Sequence, residues 1–185
     1  MNSASISIGV IGLGYVGLPL TLSFGKKFKT IAYDINVKRI EELKKAFDKN
    51  NEHTKLEFKR STKVKFTSNP KNLEECQVYI VTVPTPIDKK NIPDLSHLIN
   101  ASKLIAKLLK KKNIVIYEST VYPGATEEIC VPILEKYSKL KYNKDFFCGY
   151  SPERINPGDK ERTFEKIPKV VSASDSYSLN IIKNI

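Results

Sequence analysis

Short apolar runs alternate with amphipathic stretches along the whole chain. Ile6–Ile11, Thr30–Tyr33, Val64–Thr67, Val78–Val83, Ile114–Tyr117, Phe146–Tyr150 and Val170–Ser172 are brief and mostly rich in β-branched or aromatic residues, so they predict strands. Helical periodicity runs over about Tyr15–Lys27, Val37–Phe47, Leu95–Leu109 and Ala125–Lys136, with a last helix at Tyr177–Ile185. Ile40, Leu43 and Phe47 share one helix face, and Pro19 stands near a first turn, where its missing N–H costs little. Gly25 fits either the interior or the exit of the first helix. Ser68-Asn69-Pro70 reads as a cap and proline opening a brief helix, whereas residues 48–63 are polar and read as a loop or frayed helical insertion. This alternation predicts an α/β fold: a doubly wound, mostly parallel sheet covered on both faces, in one domain over residues 1–185.

The first strand runs into Gly12-Leu13-Gly14-Tyr15-Val16-Gly17, and Asp34 stands 17 residues beyond the last of these glycines, at the end of the second strand. Glycine at position 12 permits a tight turn, at 14 it lets a pyrophosphate approach the backbone, and at 17 it lets the helix lie close to the sheet. The helix then offers free N–H groups and its positive dipole end to the phosphates. Asp34 is placed to accept hydrogen bonds from a ribose hydroxyl, and its charge would repel a 2′-phosphate. The reading is a Rossmann-type site for NAD rather than NADP.

Charge and cysteine content change this picture little. The formal net charge of +11 comes mostly from lysines spread over helix faces, without the clustered arginines and interleaved aromatics of a nucleic-acid surface. A positive field would still attract anionic cofactors and nucleotide substrates. Cys76, Cys130 and Cys148 are far apart and lack metal-ligand or disulfide-framework spacing, so they read as small core residues and no metal site is expected. There is no apolar run of membrane-spanning length and no secretory signal pattern, so a cytoplasmic location without membrane attachment is expected.

In a doubly wound sheet, ligands gather beyond the carboxyl ends of the strands. The glycine loop, Val83-Pro84-Thr85-Pro86, Glu118-Ser119-Thr120 and Ser151-Pro152-Glu153-Arg154 all fall there. Read as GLGYVGLP, Asp34 with Arg39, VPTP, PDLS (Pro93–Ser96), ESTVYPG (Glu118–Gly124) and SPERINPGD (Ser151–Asp159), these segments resemble the UDP-glucose/GDP-mannose dehydrogenase family over nearly the whole chain. The Arg-Ile-Asn-Pro-Gly run is most similar to the branch that oxidises UDP-N-acetylhexosamines.

The resemblance implies a four-electron oxidation at C6 of the sugar, with two NAD molecules and a covalent thiohemiacetal and thioester on a cysteine, giving a uronic acid for surface polysaccharide or capsule. It implies that Gly12, Gly14, Tyr15, Val16 and Gly17 hold the pyrophosphate and that Asp34 and Arg39 address the adenosine ribose. Thr85 and Ser119 would line the path to the nicotinamide. Thr120 and Glu153 would position water and assist proton transfer, and Arg154, Ile155 and Asn156 would lie along the UDP-sugar. Each residue also has a plainer reading. Thr85 could simply end a strand, Thr120 could cap a helix, Glu153 could pair with Arg154, and Arg39 could form a solvated salt bridge on a helix face beside Asp34.

The family's nucleophile belongs to a Gly-Gly-x-Cys-x-Pro-Lys-Asp segment, and nothing like it is present here. The expectation is therefore an amino-terminal cofactor domain, lacking the family's central helix and UDP-binding domain, that binds NAD and turns over no substrate alone. The resemblance further implies a homodimer formed through parts outside this chain. Three other readings compete: a different two-domain NAD-dependent dehydrogenase, a non-catalytic NAD-binding domain, and a basic nucleic-acid binder.

Overall fold

A computed structural model describes residues 6–152 and 168–185. The strands are β1 (Ser7–Ile11), β2 (Lys29–Tyr33), β3 (Val64–Thr67), β4 (Val78–Val81), β5 (Ile114–Tyr117), β6 (Phe147–Tyr150) and β7 (Ser172–Ala173). They form one sheet in the order β3-β2-β1-β4-β5-β6-β7, parallel throughout except for β7, which runs antiparallel to β6. This is the doubly wound order, with its reversal point between β1 and β4.

Register then does the positioning. Thr67, Tyr33, Ile11, Val81, Tyr117 and Tyr150 pair across the sheet as one row, so all six parallel strands end level. The residues that follow them, including Gly12, Asp34, Thr82, Glu118 and Ser151, are delivered to one rim.

The period-2 alternation of the strands splits their side chains between two cores. Val10, Ile80 and Ile116 enter one, with Leu18, Leu20, Ile40, Leu43 and Ile182 from α1 (Gly17–Phe24), α2 (Val37–Lys44) and α6 (Ser176–Asn184). Ile11, Val81 and Tyr117 enter the other, with Leu98, Ile105 and Leu134 from α4 (Ser96–Ala106) and α5 (Val131–Ser138). Both faces are covered, which is why the central strands read as unbroken apolar runs.

Boundaries differ from the sequence reading where local chemistry intervenes. The first helix starts at Gly17 rather than Tyr15 and ends at Phe24, with Gly25 as its exit. A Cβ on Gly25 would lie 2.1 Å from Val64 Cγ2, so close packing on β3 requires glycine there. The polar stretch 48–63 contains a true helix, α3 (Lys55–Arg60), opened by a capping box in which Thr54 and Glu57 satisfy each other's backbone N–H groups. The expected continuous helix from Ala125 is a π turn, Thr126–Cys130, leading into α5. Pro132 lacks an N–H and its ring crowds the carbonyl four residues back, while Val131 N–H reaches Thr126 O five residues back. The last strand is only two residues long and is shifted to Ser172–Ala173.

Candidate NAD site

β1 leaves the sheet through Gly12, whose φ of +97° is costly for any residue with a Cβ. Its N–H donates to Tyr33 O at 2.9 Å, tying the loop to the end of β2. The Leu13 side chain anchors the loop in the core, and Gly14 and Tyr15 stand exposed at the rim. A Cβ on Gly14 would meet nothing within 4 Å, so open space lies against this stretch of backbone. The opposite holds at Gly17, where a Cβ would lie 1.8 Å from Gly12 O and 2.5 Å from Thr82 Oγ1. The two glycines therefore do different work: one leaves room for a ligand, the other lets α1 touch the strand it follows.

No side chain caps α1; its N-cap is Val16, and no acidic residue lies in its first turn. Leu18 N–H turns back to Gly14 O at 3.2 Å and Pro19 has no N–H, so the Gly17 N–H and the positive dipole end are what the start of the helix leaves for a ligand. An anionic diphosphate fits them, and this is the fit expected of NAD.

Asp34 sits beside this loop at the end of β2. One carboxylate oxygen accepts from Leu13 N–H at 2.8 Å and the other from Asn36 N–H at 2.8 Å. A carboxylate has about four lone-pair sites, so both oxygens keep acceptor capacity for a ribose hydroxyl. Asp34→Asn keeps the shape and removes the charge. In competitive titrations it is expected to narrow the preference for NAD over NADP by about tenfold, because the repulsion of a 2′-phosphate is gone. An unchanged preference would remove Asp34 from cofactor selection.

Arg39 lies on α2 as expected, yet its side chain is 5% exposed and its partner is Asp48, 1% exposed, with Nη2 and Oδ1 2.8 Å apart. The solvated salt bridge is therefore replaced by a buried one. Arg39 Nε also donates to Leu13 O at 3.1 Å. Burial raises the Asp48 carboxyl, but the Arg39 hydrogen bond, the Asn50 and Glu52 amides and the Arg39 charge outweigh it and hold the group below its ordinary value. Sequence reading missed Asp48 altogether, since one acid in a polar stretch gives no signal of burial.

The loops after β4 and β5 are laced together. Thr85 Oγ1 donates to Thr120 O at 2.6 Å, and the buried Ser119 donates from Oγ to Val83 O at 2.7 Å. The Thr120 side chain is exposed at the same rim. Glu118, also buried, pairs with Lys169. Thr82 supports the glycine loop from below, its Oγ1 2.7 Å from Gly12 O. Glu153, Arg154, Ile155 and Asn156 lie outside the described residues.

All three cysteines are buried and free. Burial pushes the Cys76 thiol up to about 11, and it raises Cys130 and Cys148 as well. None is a ready thiolate nucleophile. Among the described residues no helix is long and apolar enough to cross a membrane.

Comparison with known proteins points the same way. Residues 6–185 match the UDP-glucose/GDP-mannose dehydrogenase family, NAD binding domain. The chain is 57% identical over 180 residues to the UDP-N-acetyl-D-glucosamine 6-dehydrogenase of Pseudomonas aeruginosa, covering 97% of this chain and 43% of that protein. It is 55% identical to Protein CapL of Staphylococcus aureus, covering 97% of this chain and 42% of CapL. Among solved structures, an NDP-N-acetyl-D-galactosaminuronic acid dehydrogenase from Methanosarcina mazei Go1 superposes with a TM-score of 0.88 at 27% identity, covering 97% of this chain and 41% of that one. The chain thus spans less than half the length of these relatives. With an uncapped helix behind a glycine turn, a carboxylate beside it and a family match over nearly every residue, the chain belongs to the UDP-glucose/GDP-mannose dehydrogenase family as its NAD-binding domain.

Proposed function

We propose that this chain is the cofactor half of an enzyme that oxidises C6 of a UDP-N-acetylhexosamine to the carboxylate. The observation that carries the reading is the alignment of the amide-lined glycine loop, Asp34, Thr85, Ser119 and Thr120 along one rim of the sheet. Its sugar-nucleotide part is supported by the UDP-N-acetyl-D-glucosamine 6-dehydrogenases among the relatives. NAD, when bound, supplies the hydride acceptor.

In this reading the chain's own residues hold and orient. Gly14, Tyr15, Val16 and Gly17 present main-chain N–H groups to the diphosphate, and Asp34 accepts from the ribose. Thr85 and Ser119 give their protons to main-chain carbonyls, fixing the two loops between which the nicotinamide lies. Thr120 and Glu153 position water and carry protons, while Arg154, Ile155 and Asn156 follow the sugar nucleotide. The reacting thiol comes from outside these residues, because every cysteine here is buried in the core.

The expected result is that the 185-residue chain binds NAD, seen as thermal stabilisation, and forms no NADH with UDP-N-acetylglucosamine or UDP-N-acetylgalactosamine. Sustained NADH formation by this chain would overturn the division of labour. A full-length protein carrying these residues that left both sugars untouched would overturn the substrate.

A further inference from the structure

We propose that Arg39 and Asp48 form a strut behind the glycine loop that aims the Gly14 N–H at the cofactor's diphosphate. Asp48 touches no ligand in this arrangement and is a positioning residue for NAD. The inference rests on the NAD-binding reading of the loop.

Leu13 is held at both of its backbone groups: its N–H donates to Asp34 Oδ2 at 2.8 Å, and its C=O accepts from Arg39 Nε at 3.1 Å. The Leu13 C=O and the Gly14 N–H share a planar trans peptide and point in opposite directions. With the carbonyl drawn inward to a buried guanidinium, the Gly14 N–H is turned outward. Gly14 itself is exposed at the rim, and a Cβ there would meet no atom within 4 Å, so the loop has room for a ligand at this residue.

The guanidinium is fixed in its turn. Nη2 stands 2.8 Å from Asp48 Oδ1 and Nη1 3.8 Å from Glu42 Oε2, so charge attraction rather than aligned Nη hydrogen bonds holds it. Asp48 is locked by its own loop, accepting from Asn50 N–H at 3.3 Å and Glu52 N–H at 3.1 Å. The left-handed turn at Ala46, φ +52°, follows α2 and leads into this loop. Both charges are shielded from solvent, so salt screens the pair little. Arginine suits this place because its planar group can donate Nε to the carbonyl while its charge stands against the carboxylate; a lysine ammonium is a single point of charge. Arg39 therefore serves the diphosphate through the main chain.

Three variants test this: Arg39→Lys, Asp48→Asn, and the double replacement Arg39→Met with Asp48→Leu. The double replacement removes both members of the buried pair together and keeps apolar volume at the site, so it is the variant expected to keep the fold, which its melting transition checks. Each is titrated calorimetrically with NAD, ADP and 2′-deoxy-ADP, after the unaltered chain has been shown to bind NAD. The Gly14 amide resonance is followed in the ligand-free chain. NAD affinity is expected to fall about tenfold in each folded variant, the worth of one misdirected charge-assisted hydrogen bond. ADP and 2′-deoxy-ADP should weaken by the same factor, and the Gly14 amide should shift before any ligand is added.

Affinity within twofold of the unaltered chain in the double variant would overturn the proposal. So would a loss for NAD and ADP that spares 2′-deoxy-ADP, because it would place the effect on the ribose hydroxyl and not on the diphosphate. Failure of the unaltered chain to bind NAD would count against the NAD-binding reading of the loop itself and is scored before any variant is made.

Discussion

Gly17→Ala is expected to lower NAD affinity on the order of a hundredfold, close to 2.8 kcal/mol. The new methyl carbon would sit 1.8 Å from Gly12 O, a carbonyl that accepts from Thr82 Oγ1 at 2.7 Å. A Cβ at Gly12 would itself be 3.1 Å from Thr82 O, and its φ is already +97°. The start of α1 must therefore lift away from β1, carrying the Val16 and Gly17 N–H groups off the diphosphate. Two charge-assisted hydrogen bonds lost at about 1.5 kcal/mol each account for the magnitude. Overpacking should also cost the fold about 1–3 kcal/mol. Gly14→Ala is the informative companion. Its methyl group meets no protein atom, so the melting temperature should stay put while NAD affinity falls. Calorimetric titration and thermal melts of both variants check this. NAD binding by Gly17→Ala equal to that of the unaltered chain would mean the helix N-terminus is not the phosphate site.

Asp48→Ala is expected to be the costliest single change to stability away from the glycine loop. It leaves the Arg39 guanidinium buried without its carboxylate partner, a situation that costs about 3–5 kcal/mol. For a chain of this size that lowers the melting temperature by roughly 6–20 °C. The pH dependence has a definite sign. The folded-state value of Asp48 lies below its unfolded value, so its contribution is complete above about pH 4 and is lost as pH falls through the folded value. The stability difference between the unaltered chain and Asp48→Asn should therefore be constant near neutrality and shrink in acid below about pH 4. A difference that stays constant down to pH 2 would show that Asp48 does not carry the charge assigned to it.

Much of this architecture was legible because the relevant signals are local. β-branched runs such as Val78–Val81 and Ile114–Tyr117 specify strands buried on both faces, and the glycine spacing specifies the turn they feed. The acid at the end of β2 was readable for the same reason: its offset from the loop is set by one βαβ unit. What escaped the sequence depends on distant partners or on competition between local rules. The Thr54-x-x-Glu57 box was present but overshadowed by the polarity of its surroundings. Pro132 widens a turn that the apolar pattern alone would draw as a regular helix. The burial of Asp48 follows from where α2 ends and how the chain turns at Ala46, which no window of residues reveals. The lacing of Thr85 to Thr120 and of Ser119 to Val83 joins residues about 35 positions apart, and only the sheet brings them together.

The margin strand β3 has a consequence for how copies of the molecule meet in solution. It is four residues long, and the solvent-exposed lysines Lys63 and Lys65 stand at its start and within it. Two such borders approaching side by side bring cation against cation before any backbone ladder forms, which discourages fibre-like stacking. Raising the ionic strength mutes that repulsion, so concentrated, salty solutions are where self-association through this border should first emerge.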